Sequence, residues 1–326
     1  MPEELKSNPL LVVLGPTASG KTKLAVALAA TLGAEIISAD SRQVFTGMDI
    51  GTGKDLSEYN YNGRHIPYHL IDIKPAGERY HVDAFKNDFY KIYNELSAAN
   101  ILPILCGGTG MYIHSVLQNQ AFTTVPLNND LRNELAGMSL SALIARLEQF
   151  PKTLTAHADR STVKRMIRAI EIATFLISNK LEAPERPLFQ PFVVGLKDDV
   201  QTRRAKIGIR LEKRLAGGMI EEVEGLLASG VSAEMLSFYG LEYKIIVSYL
   251  QQKVSLSEMK VQLYNGICQF AKRQMTFFRK MEKDGVKIHW YQADIETELL
   301  KVQVLEDFIK AFPQHTSFVK ENKGIK

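Results

Sequence analysis

The stretch VVLGPTASGKTKLA, Val12–Ala25, decides the fold. A short apolar run feeds a loop bounded by Gly15 and Gly20, and Lys21 and Thr22 then open a helical pattern. The spacing Gly15-Pro16-Thr17-Ala18-Ser19-Gly20-Lys21-Thr22 fits the strand–loop–helix phosphate motif. Glycine lets the backbone approach an anion, and the N–H groups of the loop and of the helix N-terminus then point at it. Lys21 adds a point charge, and the Thr22 hydroxyl is a ligand for Mg²⁺. A nucleotide hydrolase, a kinase and a transferase that expels pyrophosphate could all use such a loop.

The flanking pattern extends this into a domain. LLVVL (10–14), AEIISA (34–39) and ILPILC (101–106) read as strands, with helices over 21–32 and 81–99 between them. Strands alternating with helices predict an α/β fold of the P-loop type, a parallel sheet flanked by helices. GGTG (107–110) breaks the chain, and a short helix follows from Met111. Between 121 and about 180 only amphipathic helices are expected, and NKLEAPERPLFQP (179–191) reads as a linker. FVVGL (192–196) returns to the sheet. Helices follow over 199–228, 240–250 and 256–283, then a strand in VKIHWYQ (286–292), a helix over 294–311 and a polar, frayed tail, VKENKGIK. The expected organisation is a core of 1–120 and 191–326 interrupted by a helical insertion domain at 121–190.

Composition narrows the setting. Hydrophobic residues make up 45% of the 326 and charged residues 23%, which suits a chain with a sizeable core. No apolar run is long enough to span a membrane, and the acidic start, MPEELKSNPL, does not read as a secretory signal. Cys106 and Cys268 are the only cysteines, too few for a disulfide framework or a four-cysteine zinc site. A cytoplasmic monomer is the expectation. The net charge of +4 is too small to establish nucleic-acid binding, so clustering has to carry that argument.

In a parallel sheet, the ends of neighbouring strands open on one crevice. ISADSRQVFTGMDIGTGK (37–54) therefore brings Asp40, Ser41, Arg42 and Gln43 to the phosphate loop, and CGGTGMY (106–112) brings Thr109. By spacing alone, Asp40 is equally a turn cap, a Mg²⁺ ligand or a base. HLID (69–72) is the nearest candidate for the acidic strand end of an ATPase, and a poor one. In the helix after 199, Arg203, Arg210 and Arg214 share a face beside an apolar stripe of Ile207, Leu211, Leu215 and Met219. On 160–178, Met166, Ile170, Ala173 and Ile177 make a core stripe, with Lys164 and Arg168 opposite and Arg165 nearby. Lys272, Arg279 and Lys283 make another basic face. Each basic face is either simply solvated or a phosphate-binding surface.

GPTASGKT (15–22), SADSRQVFTGMDIGTGK (38–54), HLIDI (69–73), GGTGMY (107–112), RAIE (168–171) and AKRQMTFFRK (271–280) together resemble the tRNA dimethylallyltransferase family, in order and over most of the chain. The resemblance implies transfer of a dimethylallyl group from dimethylallyl pyrophosphate to the exocyclic N6 amine of the adenosine 3′ of a tRNA anticodon, with release of pyrophosphate. It implies that Gly15, Thr17, Ala18, Ser19, Gly20, Lys21 and Thr22 hold the donor pyrophosphate rather than ATP, with Mg²⁺ on Thr22. It makes Asp40 the base, Thr109 an orienting group and Arg210 the pyrophosphate arginine, with Arg214 the runner-up. It places the anticodon stem-loop against Asp40, Ser41, Arg42, Gln43, Thr109, Arg132, Lys164, Arg165, Met166, Ile167 and Arg168. The chain departs from the family pattern at Glu242, where a Gly-Tyr-Lys step is usual, at Ile267-Cys268, where a Thr-Arg pair is usual, and at Phe277, where a Trp is common. The competing readings are a small-molecule kinase, which would need ATP and no tRNA, and an RNA-binding protein without turnover.

Overall fold

A computed structural model describes residues 9–118, 121–156, 158–181 and 186–313. The polar tail and part of the 179–191 linker lie outside the described residues. The chain divides into two compact units, Met1–Gln118 with Pro187–Lys326, and Asn119–Arg186. These boundaries fall within a few residues of the expected 121 and 190.

The larger unit is built on six strands: β1 (Pro9–Leu14), β2 (Glu35–Ser38), β3 (Tyr68–His69), β4 (Pro103–Gly107), β5 (Gln190–Lys197) and β6 (Ile288–Gln292). Their order in the sheet is β6-β5-β1-β4-β2-β3, and every pairing is parallel. β1 is central, with Leu11 facing Ile104 on one side and Phe192 on the other. It is apolar throughout because both of its faces are covered. Leu11 and Val13 pack into one core, while Leu10, Val12 and Leu14 pack into the other. The edge strand β3 was not expected. It is two residues long, too short to show a period.

Helices α1 (Lys21–Leu32), α2 (Val82–Ala98) and α3 (Gly110–Leu117) follow the strands of the first half. The smaller unit contains α4 (Asn129–Leu135), α5 (Leu140–Leu147), α6 (Lys152–Thr155) and α7 (Val163–Ser178), closed around Leu135, Leu143, Leu147, Met166, Ile170 and Ala173. Ile177, expected in that stripe, is exposed, one residue before the end of α7.

In the larger unit, the expected helix over 199–228 is two helices, α8 (Val200–Ala216) and α9 (Met219–Ala228), parted at Gly217 and Gly218. α10 (Ala233–Tyr239) was not expected, and α11 (Leu241–Leu250) follows it directly. The 28-residue α12 (Leu256–Lys283) begins in a capping box of Ser255 and Glu258. α13 (Thr297–Ala311) packs on α1. Helices α8 to α12 share a core with Val44, Phe45 and Met48, which anchors the segment after β2. Among the described residues no helix is long and apolar enough to cross a membrane.

Candidate active site

The segments leaving β1, β2 and β4 at their carboxyl ends meet α8 and α12 around a cavity of about 560 Å³. Thr17 to Lys23, Asp40 to Gln43, and Gly108 to Met111 all line it. Parallel pairing puts these strand ends on one edge of the sheet, so topology gathers residues far apart in sequence.

The loop after β1 turns back through a Ser19 N–H to Pro16 carbonyl bond of 3.3 Å, with left-handed backbone at Ala18 and Gly20. Lys21 then begins α1. Burial lowers the Lys21 pKa, and the charge of Arg210 adds to that against the opposing effects of Cys106 and Asp40. Ser19 Oγ is buried with no hydrogen-bond partner among the described residues. An anion or a metal–phosphate group entering beside Ser19 and Thr22 would meet an unused hydroxyl and a cation that burial disfavours.

Arg210 and Arg214, expected as alternatives, both line the cavity. Arg210 donates to Asp55 at 2.6 Å and to the Gly53 carbonyl at 3.3 Å, and its Nη1 is 3.5 Å from the Thr17 hydroxyl. Arg214 is held down at about 10 by burial and by the charge of Arg210. Its Nε is buried without a hydrogen-bond partner among the described residues. Both guanidinium groups crowd Gly53, which has φ +66°, and a Cβ there would lie 1.5 Å from Arg214 Nη2. The left-handed backbone and the close guanidinium groups both favour glycine at that position. Arg203, expected on the same face, lies instead in a separate cleft with Arg204, Lys272 and Arg279. Lys206, one turn before Arg210, lines the cavity in its place.

Asp40 accepts the Arg42 N–H at 3.0 Å, and Thr109 Oγ1 accepts the Ser41 N–H at 3.0 Å, so the segments after β2 and β4 are tied together. Gln43 donates to the Gly53 carbonyl at 3.2 Å. Asp72, the weak ATPase candidate, is ion-paired with the buried Lys54.

Sequence reasoning missed the contribution of α12. Gln274 accepts the Thr17 N–H at 2.9 Å and donates to the Gly108 carbonyl at 2.9 Å, bridging the two glycine-rich loops. Phe270, Arg273 and Phe277 line the cavity from the same face. The spacing 270, 273, 274, 277 was available as a signal, since it marks one face of a helix.

Among the described residues no group of three or more His, Cys, Asp or Glu side chains could hold a metal ion. Mg²⁺ characteristically takes few protein ligands and fills its shell with water and substrate phosphates. The Thr22 hydroxyl and the unpartnered Ser19 hydroxyl fit that mode.

In the smaller unit, Lys164 and Arg165 are exposed, Ile167 is half-buried and Met166 is fully buried in the core. Arg168 donates to the carbonyls of Phe122 and Val125 and pairs with Glu171. Arg132 makes two bonds of 2.7 Å to the same carboxylate. Met166, expected in the core stripe, packs this unit, and Arg132 and Arg168 hold it together by hydrogen bonds that the basic pattern alone did not reveal.

The described geometry has relatives. Residues 43–281 match the family model for IPP transferase, and residues 9–66 match that for isopentenyl transferase. The chain is 48% identical over 303 residues to a tRNA dimethylallyltransferase of Bacteroides fragilis, covering 93% of this chain and 98% of that protein. It is 50% identical over 284 residues to one of Porphyromonas gingivalis, covering 87% and 94%. The crystal structure of the full-length tRNA isopentenylpyrophosphate transferase from Bacillus halodurans is similar with a TM-score of 0.68 at 29% identity, covering 97% of this chain and 98% of that one.

Proposed function

The chain belongs to the IPP transferase family, and on that premise we propose that it transfers a dimethylallyl group from dimethylallyl pyrophosphate to the exocyclic N6 amine of the adenosine 3′ of a tRNA anticodon. The observation that carries the reading is the single cavity, lined both by the phosphate loop with Lys21, Arg210 and Arg214 and by Asp40 and Thr109.

In this reading the loop amides, Lys21 and the two arginines bind the pyrophosphate of the donor. The adenine amine attacks the first allylic carbon, the carbon–oxygen bond to pyrophosphate breaks, and the amine loses a proton. Asp40 accepts that proton, a step worth roughly 10²–10⁴ in rate. The cations stabilise the charge that grows on the leaving group, in a site where preorganised charge acts strongly. Mg²⁺ on Thr22 and the donor phosphates would supply further charge neutralisation. Thr109, fixed by the Ser41 N–H, orients the amine. The target base must leave the anticodon-loop stack to enter a cavity, as in base flipping. Exposed Lys164 and Arg165 on the insertion supply phosphate contacts to the stem-loop.

The test is turnover of labelled dimethylallyl pyrophosphate with bulk tRNA and Mg²⁺, without ATP, followed by nucleoside analysis. A prenylated adenosine is expected. Strict dependence on ATP, with no labelled nucleoside, would overturn the reading in favour of a kinase.

A further inference from the structure

Arg42 and Glu242 are two hundred positions apart and meet beside Asp40, with Arg42 Nη1 2.5 Å from Glu242 Oε2. Their side chains are 17% and 8% exposed, and both residues line the cavity. The guanidinium is clamped on two further sides. Its carbon lies 5.1 Å from the centroid of the Phe270 ring. It also presses on the backbone of Gly240, where a Cβ would fall 2.4 Å from that carbon and where φ is +158°. Such a backbone is essentially restricted to glycine. The plane of Arg42 is therefore set by carboxylate, ring and backbone together.

Two consequences follow. Among the described residues only Glu242 accepts from the Arg42 guanidinium, so its Nε and Nη2 donors are left for a ligand. The charge of Arg42 is also compensated by its partner, unlike that of Lys21 or Arg214. A compensated, immobilised guanidinium is a weak attractor of phosphate but a good two-pronged donor to a neutral pair of acceptors, such as the edge of a nucleobase. We infer that Glu242 is a positioning residue that holds Arg42 as a hydrogen-bonding fork for a base edge of the acceptor RNA, so that the pair governs acceptor selection and not donor binding. The inference rests on the tRNA-acceptor reading above. It also gives a role to Glu242, one of the positions where this chain departs from its family's usual pattern.

The test measures kcat/KM separately for tRNA and for dimethylallyl pyrophosphate in the full chain and in Glu242→Gln, Arg42→Ala, Arg42→Lys and the double variant Arg42→Ala/Glu242→Gln. Loss of a fork to a base edge should lower kcat/KM for tRNA by about tenfold to a hundredfold, with the donor KM at the wild-type value. Glu242 acts through Arg42, so the double variant should be no worse than Arg42→Ala. Arg42→Lys keeps the charge and loses the fork, so it should show the same tRNA defect even if Glu242→Gln proves unstable. Wild-type tRNA efficiency in Arg42→Lys, equal losses for donor and tRNA, or additive losses in the double variant would each overturn the inference while the transferase reading stands. An unmodified chain that fails to prenylate tRNA at all would overturn both.

Discussion

Gln274→Ala isolates the link between the two glycine-rich loops. The wild-type amide is 7% exposed and makes one hydrogen bond to each loop, to the Thr17 N–H and to the Gly108 carbonyl. Two neutral hydrogen bonds contribute about 1 kcal/mol each, and one lost buried methylene adds roughly 0.8 kcal/mol. The cavity is open enough for water to replace part of this, so the expected loss is about 2 kcal/mol, or roughly 4 °C in Tm for a unit of this size. Thr17 sits in the loop proposed to take the donor, so its release should also lower kcat/KM for dimethylallyl pyrophosphate by about tenfold, the equivalent of 1.4 kcal/mol. The tRNA KM should change little. Gln274→Glu is the informative companion. Its carboxylate can still accept from Thr17 but offers nothing to the Gly108 carbonyl, and it adds an anion where pyrophosphate must bind. Its Tm should fall by less than that of the alanine variant, while its donor KM rises further. Differential scanning fluorimetry and steady-state kinetics with varied donor check both. A Gln274→Ala protein with unchanged Tm and unchanged donor efficiency would refute the bridge.

Asp40→Asn preserves an oxygen for the Arg42 N–H but cannot take a proton, so single-turnover transfer should fall by about 10²–10⁴ while tRNA binding stays within a few-fold. Near wild-type transfer would demote Asp40 to positioning. Pyrophosphate at about 100 times its Kd should stabilise the wild type by roughly 2.7 kcal/mol, and Lys21→Ala should lose most of that thermal shift. Lys164→Ala should reduce the salt slope of tRNA binding by about one, whereas Arg168→Ala should lower Tm, since its guanidinium holds the carbonyls of Phe122 and Val125. In Glu171, burial raises the pKa but the bonds from Arg132 and Asn128 outweigh it, leaving the group below the usual carboxylate range. Its contribution should therefore be full above the unfolded value near 4.5 and be lost as pH falls through the lower folded value, which acid unfolding of Arg132→Ala against wild type would reveal as a flatter pH dependence.

The parts of this protein that were legible in advance are those encoded locally. Β-branched and leucine-rich runs at 10–14 and 101–106, punctuated by glycine, became the central strands, and Leu256–Lys283 reads as one helix from its own periodicity and cap. The strand-end rule then brought Asp40 and Thr109 to the phosphate loop. What was not legible depends on pairings across the chain. Gln274 and Thr17 are 257 positions apart, and Arg42 and Glu242 are 200 apart. No window of sequence contains either pair. The basic pattern at 164–168 shows the same limit. Period placed Met166 inward, where it is buried, but it cannot tell that Arg168 would fold back onto carbonyls of its own unit.

The distribution of charge in the cavity suits the proposed pairing of an anion with a largely neutral base in one site. Arg42 is compensated by Glu242, Arg210 by Asp55 and Lys206 by Asp198. Lys21 and Arg214 have no such acceptor among the described residues, and burial lowers the pKa of each. A lowered pKa in a base means that the folded protein holds the cation at a cost, because its water has been removed without a counter-ion replacing it. In the proposed reaction pyrophosphate restores that counter-ion, so its binding relieves a cost already present in the free protein. The compensated cations gain less from a phosphate, because each would have to share its partner. In the proposed reaction this bias draws the donor's phosphates to Lys21 and Arg214, with Arg210 beside them in the same cavity, and leaves Arg42 to contacts that depend on hydrogen-bond geometry.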